Sequence, residues 1–356
     1  MPSQRRTFES RIDYSLLLPV LLLLSIGVTA IYIAVSHDYP NNVLQIVGQQ
    51  VVWILLGFLI SFIVMFFNTK FLWKMTPFLY IIGLGLMVLP LVFYSESLVA
   101  STGAKNWVSI RGVTLFQPSE FMKISYILML SRVVVKFLQQ NKNYERTIAL
   151  DLFLIVKLAL YTLPVLLLLA LQSDLGTALV FAAIYCGIVL LSGVSWKIIL
   201  PVFLTVSLLF TVFMLIFISN GGRAFLHGLG MPTYQINRIS AWLHPFEYAQ
   251  TVTYQQAQGQ IAIGSGGLLG QGFNVSNLLV PVRESDMIFT VIAEDFGFLG
   301  SSLVIVIYLF LIHRMLQITI KSNNQFYTYI STGLIMMLLF HIFENIGAVT
   351  GILPLT

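Results

Sequence analysis

Residues 14–36, YSLLLPVLLLLSIGVTAIYIAVS, contain no charged side chain. An α-helix needs roughly 20 predominantly apolar residues to cross the hydrocarbon layer of a bilayer, so this stretch alone predicts a membrane-spanning helix. The segment before it carries Arg5, Arg6 and Arg11, and no small-residue cleavage site follows it. This pattern is typical of a retained first helix rather than a secretory signal peptide.

Apolar runs of the same kind recur along the chain. Hydrophobic residues make up 58% of the sequence and charged residues 9%, with a mean hydropathy of +0.89, whereas a soluble domain carries roughly a quarter charged residues. The further uncharged runs are 49–67, 75–94, 175–194 and 198–219, and four apolar runs that charged residues interrupt are 120–138, 152–171, 287–312 and 326–350. Only helices and closed barrels satisfy their backbone groups in hydrocarbon, and the short alternating segments of a barrel are not found. We therefore predict an all-α polytopic membrane protein with about nine transmembrane helices.

The distribution of lysine and arginine predicts the orientation. With the amino terminus in the cytoplasm, the cytoplasmic cations are Arg5, Arg6, Arg11, Lys70, Lys74, Lys136, Lys142, Arg146, Lys197, Arg314 and Lys321. The cations predicted to lie outside belong to two long loops: Lys105, Arg111, Arg223, Arg238 and Arg283. This asymmetry follows the positive-inside rule. It explains the pI of about 9.2 without nucleic-acid binding.

The sequence predicts a single membrane domain, residues 1–356, with two external loops. The first covers residues 95–118. The second, residues 220–285, is an extracellular loop between helices seven and eight, and loops of that length are usually functional. It contains an amphipathic segment at 238–245, predicted to lie along the membrane surface. Its glycines at 264–272 permit close approach of the backbone. The single cysteine, Cys186, is predicted to be a packing residue.

Several charged side chains fall where a membrane makes them costly. Glu120 and Lys123 are spaced i,i+3 on one helix face, which favours a structural ion pair over a functional one. Glu294 and Asp295 lie about two turns into an apolar run and require pairing or a polar cavity. His341 is predicted to be hydrogen-bonded inside the helix bundle, because no convincing set of metal ligands accompanies it.

Two aspartates directly precede apolar runs. Asp174 is predicted to cap a helix by accepting from its free N–H groups. Asp286, at the end of the long loop, has the same explanation. A carboxylate at the boundary between membrane and outside water is equally suited to general-base catalysis on a lipid-linked substrate. The residues themselves leave these two alternatives open.

A set of motifs, ordered along the chain, resembles the SEDS family (shape, elongation, division and sporulation proteins). The motifs are Gly103-Ala104-Lys105-Asn106-Trp107, Phe116-Gln117-Pro118-Ser119-Glu120 with Lys123, Gln172-Ser173-Asp174-Leu175-Gly176-Thr177-Ala178, Ala262-Ile263-Gly264-Ser265-Gly266-Gly267 with Gly270-Gln271-Gly272, Glu284-Ser285-Asp286-Met287-Ile288-Phe289 with Ala293-Glu294, Asn345-Ile346-Gly347 and Gly351-Ile352-Leu353-Pro354. The elongation-type, rod-shape-determining members are more similar than the division-type members.

The resemblance implies a ten-helix bundle in the bacterial cell membrane, peptidoglycan glycosyltransferase activity on lipid II for cell elongation and cell shape, and a class B penicillin-binding protein as partner. The family's catalytic aspartate lies in a pattern like His-Thr-Asp-Phe and carries onto Asp286. Glu284 and Ser285 stand where the family usually has His and Thr, and Ser173 stands where proline is usual. The chain stops at Thr356, before the family's last segment and helix, which predicts a truncated protein with an external carboxyl terminus.

The resemblance also implies an inverting transfer, from an α-linked lipid donor to a β-linked product. Asp286 is the predicted general base; alternatively its carboxylate holds Mg²⁺ or Mn²⁺ near the diphosphate, since these ions suit hard oxygen ligands. The side chains predicted to contact the diphosphate of lipid II or of polyprenyl diphosphate lipids are Lys105, Arg111, Lys123 and Arg238, with Glu120 orienting Lys123. Two other functions remain as alternatives: a lipid II flippase, and a non-catalytic scaffold for a penicillin-binding protein.

Overall fold

The computed structural model describes residues 12–110, 113–231, 233–247, 254–275 and 278–354. Helices cover most of these residues. The helices are α1 Tyr14–Asp38, α2 Val43–Val64, α3 Thr69–Val92, α4 Glu96–Thr102, α5 Pro118–Gln140, α6 Ile148–Gln172, α7 Leu175–Leu191, α8 Trp196–Ile218, α9 Gly222–Gly228, α10 Thr233–Leu243, α11 Tyr254–Ser265, α12 Ile288–Ser322 and α13 Gln325–Thr350. Two short strands, β1 Val108–Ile110 and β2 Val113–Phe116, pair as an antiparallel hairpin between α4 and α5.

Each apolar run predicted from the sequence overlaps a helix of the described chain. Seven helical segments are long and apolar enough to cross a membrane: Tyr14–Asp38, Pro40–Val64, Thr69–Val92, Ile148–Gln172, Trp196–Ile218, Ile288–Ser322 and Gln325–Thr350. The runs at 120–138 and 175–194 correspond to α5, which carries several charged side chains, and to α7, which has 17 residues. The predicted all-α polytopic fold is confirmed.

Side-chain caps explain where several of these helices begin. A cap side chain accepts a hydrogen bond from one of the free backbone N–H groups of the first turn, and each such cap is worth about 1 kcal/mol. Caps of this kind are Asp13 for α1, Asn68 for α3, Thr147 for α6 and Asp174 for α7. The capping role predicted for Asp174 is therefore confirmed.

The packing divides the chain into two compact units, each discontinuous in sequence. Unit 1 consists of Met1–Phe66, Phe213–Gln317 and Ile342–Thr356, and unit 2 of Phe67–Val212 and Ile318–His341. The single domain over residues 1–356 stays a prediction. The long loop 220–285 contains the helices α9, α10 and α11 within its described residues.

The core of unit 2 is built around α5. Tyr126 is fully buried there, with its hydroxyl 2.7 Å from Thr162 Oγ1 and its ring edge-on to Phe181 at 5.1 Å between centroids. On α3, a Cβ added to Gly83 would lie 2.6 Å from Met122 Sδ. Small residues let membrane helices approach closely, so Gly83 sets the close packing of α3 on α5.

Unit 1 contains a broken membrane helix. Gly297 interrupts α12 with φ 63° and ψ −158°, which frees backbone groups that lipid cannot satisfy. The glycine-rich segment, residues 266–272, satisfies them by exchanging backbone hydrogen bonds with α12. The bonds run from Gln271 N to Glu294 O at 2.9 Å, Gly272 N to Asp295 O at 3.2 Å, Phe298 N to Gly267 O at 2.9 Å and Leu299 N to Leu268 O at 3.2 Å. A Cβ on Gly270 would lie 2.0 Å from Asp295 O, so the glycines permit this contact.

Two ion pairs show that α1 and α12 run antiparallel within unit 1. Arg314 Nη2 lies 2.7 Å from Asp13 Oδ2, which joins the start of α1 to the later part of α12. This hydrogen bond is the main reason that the pKa of Asp13 lies below its usual value. Arg283 Nε lies 2.8 Å from Asp38 Oδ2, which joins the end of α1 to the turn before α12.

Two helices show packing that the sequence did not predict. The amphipathic segment of the long loop forms α10, whose residue Ile236 packs with Phe217 and Leu226. Its apolar side therefore contacts α8 and α9 rather than only the membrane surface. In α8 itself, Phe217 is the one buried residue, so this helix presents apolar side chains nearly all round.

We expect G270A to destabilise unit 1. Gly270 has φ +85°, a conformation that costs alanine about 1–3 kcal/mol. The added Cβ would also collide with the backbone oxygen of Asp295 in α12, and no side-chain rotation can relieve that clash. The measurement is the midpoint of thermal unfolding in detergent. G264A is the matched control, because a Cβ there meets nothing within 4 Å. Equal midpoints for the two variants would contradict the proposed backbone contact.

Candidate active site

Asp286 lies in a turn between the long loop and α12. Met287 N donates to Val282 O at 3.3 Å, and the Met287 side chain is fully buried in an apolar cluster with Ala262 and Val349. Asn345 Nδ2 donates to the carbonyl oxygen of Asp286 at 2.9 Å. The backbone of Asp286 is thus held from α13 as well as from its own turn.

The Asp286 carboxylate itself makes no hydrogen bond to the part of the chain that the structure describes. No described amide donates to it, in contrast to Asp174, so the structure does not show the capping role for Asp286. The residue is exposed, yet the surrounding protein desolvates the carboxylate and raises its pKa above the usual value. A raised pKa suits a general base that must accept a proton and later release it.

Arg283, three residues earlier, is committed to a buried ion pair. Its Nε and Nη2 donate to the two carboxylate oxygens of Asp38 at 2.8 and 2.9 Å, and its Nη1 donates to Leu278 O at 3.2 Å. Glu284 lies between Arg283 and Asp286, and its negative charge raises the pKa of Tyr39. The bidentate pair anchors the turn that carries Asp286, and Arg283 is not available to a substrate anion.

Asn274 hydrogen-bonds both to the broken helix α12 and to the end of α1. Its backbone N–H donates to Asp295 Oδ2 at 2.7 Å, its Oδ1 accepts from Ser36 Oγ at 2.9 Å, and its carbonyl oxygen lies 3.1 Å from His37 Nε2. Asp295 is buried, and its Oδ1 has no hydrogen-bond partner among the described residues. One of the two Asp295 oxygens therefore accepts a hydrogen bond, and the choice between pairing and a polar cavity for Glu294 and Asp295 stays open. Sequence reasoning missed Asn274, because a lone asparagine carries no periodic signal.

In unit 2, Glu120 and Lys123 form the ion pair that their spacing predicts, with 2.8 Å between Lys123 Nζ and Glu120 Oε1. Lys123 Nζ also lies 2.9 Å from His341 Nε2. The Lys123 side chain is 3% exposed and that of Glu120 61%. His341 is hydrogen-bonded, as predicted, but the sequence did not indicate that its partner is Lys123.

Lys105 is held at a different place in unit 2. Its backbone N–H donates to Gln172 O at 2.8 Å, and its ammonium lies over the ring of Tyr94, 4.5 Å from the centroid. Next to it, Asn106 Nδ2 donates to Asp174 Oδ2 at 2.9 Å. The loop 95–118 is therefore hydrogen-bonded to the junction of α6 and α7. At that junction Ser173 has a positive φ of 58°, a conformation that proline cannot adopt.

The remaining two residues predicted to contact substrate are Arg111 and Arg238. Arg111 lies outside the described residues. Arg238 lies on α10, and its side chain is outside the description. Of the predicted substrate-binding residues, the structure brings Glu120 and Lys123 together in unit 2. Asp286 and Arg238 belong to unit 1.

The long loop also fastens the end of α13. Trp242 Nε1 donates to Gly351 O at 3.0 Å, and Gln256 Nε2 donates to Ala348 O at 3.4 Å. Gly351 has φ +83°, and a Cβ there would lie 2.1 Å from Gln260 Nε2. Trp242 and Gln256 of the long loop thus hold the end of α13 within unit 1.

The predicted Mg²⁺ or Mn²⁺ has no ready-made ligand set in the described part of the chain. Three or more His, Cys, Asp or Glu side chains that could hold a metal ion do not come together among these residues. A lone carboxylate such as Asp286 binds Mg²⁺ weakly unless substrate phosphate oxygens and water complete the shell. The described residues therefore do not form a resident metal site.

Comparison with known proteins gives consistent matches over nearly the whole chain. The profile of the FTSW_RODA_SPOVE family, described as cell cycle protein, matches residues 14–356. The peptidoglycan glycosyltransferase MrdB of Escherichia coli (strain K12) is 30% identical over 356 residues, which cover 98% of this chain and 88% of that protein. The probable peptidoglycan glycosyltransferase FtsW of Lactococcus lactis subsp. lactis (strain IL1403) is 28% identical, with 97% and 86% covered.

A solved structure has the same fold. It is described as "Structural coordination of polymerization and crosslinking by a peptidoglycan synthase complex", and one of its chains superposes with a TM-score of 0.73 at 24% identity. The superposition covers 96% of this chain and 88% of that chain.

We expect Asp286 to titrate above the usual aspartate range of about 3.5–3.9, because burial disfavours its charged form. Carbodiimides react with protonated carboxyl groups, so labelling of Asp286, followed by peptide mass spectrometry across a pH series, reports the midpoint. The D286N variant identifies the labelled peptide. A midpoint at or below the usual range would show that the carboxylate is freely hydrated.

Proposed function

Because this chain belongs to the FTSW_RODA_SPOVE family of cell cycle proteins, we propose that it is a peptidoglycan glycosyltransferase that polymerises lipid II for cell elongation and cell shape. The relatives named peptidoglycan glycosyltransferase match this chain along almost its full length. The helical membrane fold accords with a substrate that carries a polyprenyl tail.

The observation that carries the proposal is the state of Asp286. Its carboxylate is accessible and makes no hydrogen bond to a described residue. Its pKa is raised by the surrounding protein, and its backbone is held by Asn345. A structural carboxylate in this protein has partners, as Asp38 and Asp174 do. A free carboxylate on a rigid turn is instead suited to receive a proton from a substrate hydroxyl.

In the proposed reaction, the Asp286 carboxylate removes the proton from the acceptor sugar hydroxyl. The hydroxyl oxygen then forms the new glycosidic bond at the reducing carbon of the donor glycan, with inversion. The bond from that carbon to the diphosphate breaks, and the polyprenyl diphosphate leaves with the electron pair. Cationic groups stabilise the charge on the diphosphate. We assign this role to Lys123, oriented by Glu120, together with Lys105, Arg111 and Arg238, and Mg²⁺ or Mn²⁺ carried by the diphosphate would add to it.

We further propose that the active site faces the outside of the bacterial cell membrane and that a class B penicillin-binding protein is the partner. The Lys and Arg distribution supports a cytoplasmic amino terminus. The ion pairs of Asp13 and Asp38 lie at opposite ends of α1, so the turn that carries Asp286 is at the end of α1 away from the amino terminus. The similarity of fold to a chain of a peptidoglycan synthase complex supports assembly with a crosslinking enzyme.

We expect D286N to lower polymerisation of lipid II by about 10²–10⁴-fold, the usual contribution of a general base. The assay uses chain reconstituted with its penicillin-binding partner and follows glycan strands by gel electrophoresis. E247Q is the matched control, since Glu247 is an exposed carboxylate of the same long loop.

Substantial turnover by D286N would remove Asp286 from the mechanism. Transbilayer movement of lipid II without polymer would favour a flippase, and intact polymerisation supported by D286N with its partner would favour a scaffold.

We expect opposite labelling of two engineered cysteines in a C186A background. A membrane-impermeant maleimide added outside intact cells should react with E247C in the long loop. K142C, in the connection between α5 and α6, should react only after permeabilisation, because the positive-inside rule places it in the cytoplasm. Mass-tag gel shifts measure both. The reverse pattern would put Asp286 on the cytoplasmic side and contradict the proposed reaction.

A further inference from the structure

We propose that His341 is a positioning residue for Lys123, which it holds in place without cancelling its positive charge. The proposal rests on the proposed function, in which Lys123 contacts the substrate diphosphate. A hydrogen bond links α5 to α13, with 2.9 Å between Lys123 Nζ and His341 Nε2. The two residues are 218 positions apart in the sequence.

The chemistry of the two groups fixes the direction of this hydrogen bond. An ammonium group has three N–H donors and no lone pair, so Lys123 donates and His341 Nε2 accepts. The ring proton of His341 therefore lies on Nδ1, and the ring is neutral while the bond exists. A doubly protonated ring would present a second donor to the ammonium and would add a like charge.

The surroundings of Lys123 show why a neutral partner matters. The residue is 2% exposed, so the ammonium has lost most of its water and needs partners. Its two described partners differ in kind. Glu120 neutralises the charge but has a side chain that is 61% exposed, whereas His341 is partly buried and brings no charge.

This asymmetry suits a cation that must accept an incoming anion. Glu120 orients Lys123 before substrate binds; when a diphosphate approaches, the exposed Glu120 carboxylate can turn to water and release the ammonium. His341 then keeps the ammonium solvated and aimed while its full charge acts on the phosphate oxygens. If both partners were carboxylates, the site would carry a net negative charge and would repel the diphosphate.

The helix contact that carries His341 is tight enough to fix the ring. On α13, two turns before His341, a Cβ on Gly333 would lie 2.7 Å from Ile127 Cγ2 of α5. Backbones that approach this closely hold side chains at a constant separation. The hydrogen bond therefore forms between two fixed helix surfaces within unit 2, rather than between flexible ends.

The experiment compares replacements at His341 that keep or remove the acceptor. H341Q retains an acceptor oxygen, whereas H341F keeps a planar ring without one, and H341L serves in its place if H341F fails to fold. Binding of lipid II is measured in a D286N background, so that turnover plays no part, and thermal unfolding reports folding. We expect H341F to weaken binding by about tenfold to hundredfold, the usual worth of a hydrogen bond to a charged group, and H341Q to lose much less. H313L, at a histidine of α12 that pairs with Gln317, is the control.

A second comparison separates positioning from a merely structural role. K123M alone and K123M with H341F should bind lipid II equally weakly, because His341 acts only through Lys123. Equal binding by H341F and H341Q would overturn the proposal, as would a further loss on adding H341F to K123M. These outcomes are independent of the proposed function, which fails if D286N still polymerises lipid II.

Discussion

A break inside a membrane helix leaves backbone groups that hydrocarbon cannot satisfy, and part of unit 1 is organised around one such break at Gly297. The glycine-rich segment supplies the missing partners from outside the helix, which requires backbone against backbone. This contact places Asn274 beside Asp295, and Asn274 in turn binds the end of α1. The end of α1 holds Arg283, and Arg283 fixes the turn of Asp286. The position of the candidate base thus follows from a chain of contacts that begins at the break.

The sequence predicted the features that depend on residues close together in the chain. Apolar runs located the helices, the i,i+3 spacing located the Glu120–Lys123 pair, and the position of Asp174 before an apolar run located a cap. It did not predict contacts between distant segments, such as Arg283 with Asp38 or Lys123 with His341. Hydropathy periodicity carries no information about which helix faces which. For the same reason, the sequence could not decide between the two roles of Asp286.

The lysine and arginine side chains that form ion pairs in the described chain fall into two physical classes. Arg146, Arg283 and Arg314 each donate to a carboxylate, so their charge is neutralised locally and serves the fold. Lys123 divides its hydrogen bonds between a solvent-facing carboxylate and a neutral ring. A guanidinium with a bidentate partner gains rigidity and loses its influence on other anions. A buried ammonium such as Lys123, with one exposed carboxylate and one neutral ring as partners, can still attract another anion. This property distinguishes it from the arginines that only stabilise the fold.

The helix α8 has a consequence for how this sequence can change over time. Most of its side chains are exposed, although Ile198 and Ile199 near its start and Phe213, Ile216 and Phe217 near its end pack against buried clusters. Interior helices are constrained by the shapes of their neighbours, as Gly83 is by Met122. On α8, leucine, isoleucine, valine and phenylalanine satisfy the same requirement, which is solubility in lipid. We therefore expect single apolar-for-apolar substitutions to be tolerated at the exposed positions of α8, whereas on α5 they disturb the residues packed against it.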